Sequence, residues 1–88
     1  MSKGARYTPP GPDAEAAIEV EIENPDGVVY LRIPASTFAE AFGTVGDSRE
    51  QLFGAFISRK FGIWPKLASK VSKLLGGEMY TVLPRDLM

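Results

Sequence analysis

From Ile18 to Glu23 the chain alternates apolar and acidic residues without a fault: Ile-Glu-Val-Glu-Ile-Glu. A strand turns successive side chains to opposite faces, so this pattern predicts one with Ile18, Val20 and Ile22 on a core and three glutamates in water. Asn24-Pro25-Asp26-Gly27 follows as a turn, with Pro presetting one dihedral and Gly free to take positive φ. Val28 to Ile33, β-branched and aromatic, is a second strand, and the two form a hairpin. Pro34 closes it. Thr37-Phe38-Ala39-Glu40 has capping-box spacing, which predicts a helix capped by Ser36 or Thr37, striped by Phe38, Ala41 and Phe42 and stopped at Gly43.

The longest helical pattern comes next. Ser48 and Gln51 again sit at capping-box spacing, and Leu52, Phe53, Phe56, Ile57 and Phe61 recur at helical intervals. Gly54 inside the pattern costs about 1 kcal/mol relative to Ala, which points to a close packing contact there. Gly62 invites a break, and Pro65 suits the first turn of a new helix better than the middle of an old one. Leu67, Val71, Leu74 and Leu75 continue the stripe to Gly76-Gly77. Ser48 to Gly77 therefore reads as two helices, or one kinked at its middle. Glu78 to Leu83 is a third strand, ended by Pro84. Residues 1–14, with Pro9, Pro10 and Pro12, read as a disordered N-terminal arm.

The fold class expected is α+β. A three-stranded antiparallel sheet (the hairpin plus the C-terminal strand) is covered on one face by two to three helices, in the order ββαααβ. Residues 15–88 form a single domain, as the length of 88 residues implies.

Composition narrows the chemistry. With 44% hydrophobic and 24% charged residues the chain can build a core. It contains neither cysteine nor histidine, which removes disulfides, thiolate sites, the commonest metal ligand and the commonest general base. We therefore expect no catalytic residue, no cofactor and no metal. Glu19, Glu21 and Glu23 could face a hard cation together, but acids regularly spaced on a strand are ordinarily its solvated side. The loop Gly43 to Ser48 lacks the Gly-Lys-Ser/Thr ending of a phosphate-binding loop. No apolar run reaches the roughly 20 residues of a membrane span, and no signal-peptide centre is present, so the expectation is a cytoplasmic protein with no membrane partner.

Charge supplies the candidate site. Residues 1–48 carry three basic and eight acidic side chains, and residues 49–75 carry six basic and one acidic. Lys66, Lys70 and Lys73 share one helix flank, with Arg59 and Lys60 upstream, and Trp64 lies between them in sequence. Such a set fits an anionic or protein partner, with Trp64 as a stacking or anchoring group. Lysines on the wet side of an amphipathic helix are the plainer explanation, and the pI of about 5.3 argues against a dedicated DNA binder. The reading is a small non-enzymatic interaction module that binds a protein partner or forms a homodimer, through the Ser58 to Lys73 surface or a strand edge. The alternative is a nucleic-acid-binding accessory protein using residues 59–73.

Gly27-Val-Val-Tyr-Leu-Arg-Ile33 runs into Phe38-Ala-Glu-Ala-Phe42-Gly43. It is followed by Phe56-Ile-Ser-Arg59-Lys-Phe61-Gly-Ile63 and by Tyr80-Thr-Val-Leu83-Pro-Arg-Asp86-Leu87. On these motifs, which span Ile18 to Leu87, the chain resembles a small bacterial family common in proteobacteria and known as a domain of unknown function. The resemblance implies a small α/β fold and brings no activity with it.

Overall fold

The computed structural model describes residues 2–87, with the side chains of residues 2, 3, 60 and 61 outside the description. The hairpin forms as the alternation requires. Strands β2 (Ala17–Asn24) and β3 (Gly27–Pro34) pair antiparallel, with Ile18 opposite Ile33, Val20 opposite Leu31 and Ile22 opposite Val29. All six are buried and make up the sheet side of the core. At the turn, the Asp26 amide donates to Asn24 Oδ1 (2.9 Å), and Gly27 takes a φ of 126° that favours glycine.

The sheet has four strands rather than three. Ser2–Thr8, in the segment expected to be a disordered arm, forms β1 and pairs antiparallel with β2. Ala5 and Tyr7 pack against the core, and the Tyr7 hydroxyl donates to the Asp47 carbonyl (2.9 Å). The three prolines lie beyond this strand, so they do not interrupt its ladder.

The helix boundary expected at Ser36 or Thr37 lies earlier. Helix α1 (Ala35–Phe42) follows Pro34 directly and has no side-chain cap of its own. Glu15 caps it from outside, accepting from the Ser36 amide (2.7 Å) and the Ser36 hydroxyl (2.9 Å). Thr37 is freed from capping and is 1% exposed, its Oγ1 donating to the Val82 carbonyl at 2.7 Å. Thr37→Val leaves that buried carbonyl without a donor, and is expected to cost about 1–3 kcal/mol in urea unfolding. Thr37→Ser should recover most of the loss. Gly43 ends α1 in the left-handed region, as expected.

Helix α2 runs unbroken over Arg49–Lys73, with the Ser48–Gln51 capping box in place and Pro65 in its interior. The expected break at Gly62 and Pro65 is absent. Leu52, Phe56, Ile63 and Leu67 are buried on both sides of Pro65, forming one stripe against the sheet. Each such side chain contributes about 1.5–3 kcal/mol by burial. Together they outweigh the roughly 3 kcal/mol cost of an interior proline. Pro65 itself is exposed, so water can meet the backbone group it leaves unpaired. Gly54 is also exposed, with open space where a Cβ would stand, and the close contact expected there does not exist.

This continuity also sets the direction of the last strand. A helix of 25 residues spans about 37 Å, more than the roughly 26 Å of an eight-residue strand. It begins near Tyr7 and ends at the hairpin tip, where Asn24 Nδ2 donates to the carbonyls of Val71 (3.2 Å) and Leu74 (3.0 Å). Gly76 then passes against Asp26 and Gly27, with no room for a Cβ. Strand β4 (Met79–Thr81) therefore starts at the same end as β3 and pairs with it parallel, where an antiparallel partner was expected. The sheet is mixed, in the order β1-β2-β3-β4, and a short 3₁₀ turn at Pro84–Asp86 follows. Among the described residues no helix is long and apolar enough to cross a membrane.

Candidate functional site

Helix α2 presents two different flanks beside its buried stripe. The first carries the cations, and the fold already uses most of them. Lys66 Nζ donates to the Leu87 carbonyl at 2.7 Å. Lys70 Nζ lies 3.6 Å from Asp86 Oδ1 and 5.6 Å from the centre of the Tyr80 ring. The Arg59 guanidinium stands 5.1 Å over the Phe42 ring, joining α2 to α1. Lys73 is exposed in the last turn, where a cation complements the helix dipole. The Lys60 side chain lies outside the described residues. Three of the five predicted cations, Arg59, Lys66 and Lys70, are thus engaged in separate intramolecular contacts.

Lys70 belongs to a cluster that the sequence reading missed. Asp86 has a side chain 5% exposed, and its Oδ2 accepts from the Tyr80 hydroxyl (2.7 Å) and the Leu83 amide (2.9 Å). Burial acts to raise the Asp86 pKa. The Leu83 amide, the Tyr80 hydroxyl and the Lys70 charge outweigh it, so the carboxyl titrates below its ordinary value. The hydrogen bond to Asp86, helped by burial and the carboxylate charge, raises Tyr80 above its own. The available signal was the Tyr80 and Asp86 pair bracketing Pro84, a turn that folds back on its strand.

Trp64 lies on the opposite flank, away from the cations it was expected to accompany. It is half-buried and packs edge-on against Phe56, with ring centres 5.9 Å apart and planes at 85°. Together with Ile22, Glu23, Asn24, Pro25, Ala68, Val71 and Ser72 it lines a groove of about 390 Å³ between the helix and the hairpin tip. Ile57 at one end of this flank is 60% exposed, and Leu75, just past the helix, is 61% exposed. Within the helix, residues 57, 64, 68 and 71 recur at spacings of three and four or their sum, which sets them on one flank beside the buried stripe; Lys60, whose side chain is outside the description, holds the position between Ile57 and Trp64. Single exposed apolar residues are ordinary on a protein surface, whereas several gathered beside a largely apolar groove mark a contact surface.

On the outer face of the sheet, Glu19 receives Arg6 (3.2 Å) and Arg32 (3.0 Å) from the neighbouring strands. Glu19, expected in water, is instead largely covered, its side chain 13% exposed between the two guanidinium groups it pairs with. Comparison of the chain with family models, curated proteins and solved structures gave no match.

Proposed function

We propose that this chain is a small, cytoplasmic, non-enzymatic interaction module that docks another polypeptide on the apolar flank of α2. The carrying observation is the groove beside Trp64, continued by exposed Ile57 and Leu75. The apolar residues Trp64, Ala68 and Val71 on this flank, beside a groove that also carries Glu23, are suited to a helix or strand of a partner more than to a polyanion. The alternative, a nucleic-acid accessory protein, is weaker because Lys66, Lys70 and Arg59 would have to leave contacts within the fold to meet phosphates.

A photoreactive amino acid placed at Ala68 tests this reading in cells, with the same group at Lys73 on the basic flank as the control. Discrete adducts to a polypeptide are expected from position 68 and not from 73. Silence at 68, or adducts to nucleic acid from 73, would reject the docking flank.

A further inference from the structure

We infer that the polypeptide docked there is a second copy of this chain, in a two-fold dimer joined along β1 and the apolar flank of α2. This rests on the docking reading above and names its partner. Among the described residues strand β1 pairs on one side only, so its outer edge carries unpaired backbone groups. Tyr7 ties β1 to the start of α2, and the tied-down Lys66 and Lys70 reach Leu87 and Asp86 on the far side, next to β4. The free edge and the Trp64 flank therefore lie on the same side of the molecule.

Charge identifies the occupant. A slot of about 190 Å³ opens over the outer face at this edge, lined by Gly4, Ala5, Arg6, Glu19 and Glu21. Gly4 leaves it open, since a Cβ there would meet nothing within 4 Å. Gly4 sits opposite Glu21, whose side chain is exposed, and Arg6 sits opposite Glu19. The Arg6 side chain is 76% exposed, and its bond to Glu19 leaves most of the guanidinium donors unused.

A two-fold interface pairs β1 with itself antiparallel. Centred on Ala5, that pairing sets Arg6 of each copy opposite Gly4 of the other, over the slot that ends at Glu21. Each copy supplies both the cation and the acidic slot, which is the self-complementarity a two-fold contact needs. On the helical layer Ile57, Trp64 and Ala68 supply apolar surface to the contact. The four-stranded sheet continues across the axis, with the two α2 helices on one face.

Sedimentation equilibrium of the full chain over a wide concentration range tests this, alongside Ile57→Glu, Arg6→Glu and the double variant Arg6→Glu with Glu21→Arg. Circular dichroism checks that each is folded, which the exposure of all three positions favours. Twice the chain mass is expected for the native protein, with dissociation constants raised at least about tenfold by each single variant and restored by the charge swap. A native protein that stays monomeric, or a dimer insensitive to either single variant, overturns the proposal. If the native protein is monomeric and position 68 still cross-links to another polypeptide, self-association fails and the docking flank stands. If it is monomeric and position 68 gives no polypeptide adduct, both fail.

Discussion

Replacing Phe38 with alanine should destabilise the protein by about 3–5 kcal/mol, the largest loss expected from any single truncation considered. Phe38 is fully buried in the core cluster, although it belongs to α1, an element of only eight residues. An isolated helix of that length is marginal in water, so α1 depends on tertiary packing. Its anchors are the Phe38 ring, the buried Thr37 hydroxyl and the Glu15 carboxylate. Removing the ring leaves a cavity that the rigid sheet below cannot collapse to fill. Small domains hold about 5–15 kcal/mol in total and this one belongs at the low end by size, so much of the margin would go. Urea unfolding followed by Trp64 emission would measure it, since the lone tryptophan packs on Phe56 and reports loss of the core. A loss under about 1 kcal/mol would mean that the burial of Phe38 contributes far less than core packing requires.

Asp86→Ala is expected to cost about 1.5–3 kcal/mol near neutral pH, the range for hydrogen bonds to a charged acceptor. The variant strips the acceptor from Tyr80 and Leu83 and the counter-charge from Lys70 in one step. It also changes the pH dependence. The folded Asp86 pKa lies below its unfolded value, so its contribution is present above roughly pH 4 and is lost as pH falls through the folded value. Native and variant stabilities should therefore converge in acid. Tyr80 behaves in the opposite sense. Its raised folded pKa means that its share holds below about pH 10 and is lost as pH rises through the folded value. Phenolate absorbance should show one tyrosine titrating later in the native protein and returning toward its ordinary value in the variant. An unchanged alkaline titration, or a stability gap that persists unaltered into acid, would contradict the geometry around Asp86.

Both predictions concern parts of the molecule that the linear pattern conveyed unequally. The Ile18 to Glu23 alternation specified a strand and its buried face, because a slip of one residue would turn the apolar set to water, and the Asn24 to Gly27 turn fixed its pairing with Val28 to Ile33. Ser48 and Gln51 likewise announced the start of α2, since a capping box is satisfied within four consecutive residues. Thr37 and Glu40 show the same spacing and do not cap. A buried carbonyl from Val82 claimed the threonine, and Glu15 claimed the helix start.

Local preference at each residue was thus enough for the hairpin, the helical character of the centre and the absence of histidine and cysteine chemistry. It could not weigh Pro65 against the burial of Leu52, Phe56, Ile63 and Leu67, because that energy exists only once the sheet lies beneath them. From that one balance follow an unbroken α2, a parallel β4, the cations drawn toward the C-terminal turn, and Trp64 set apart from them beside the hairpin tip. Short-range terms are written into neighbouring residues, whereas desolvation and the pairing of distant charges depend on which surfaces the folded chain brings together.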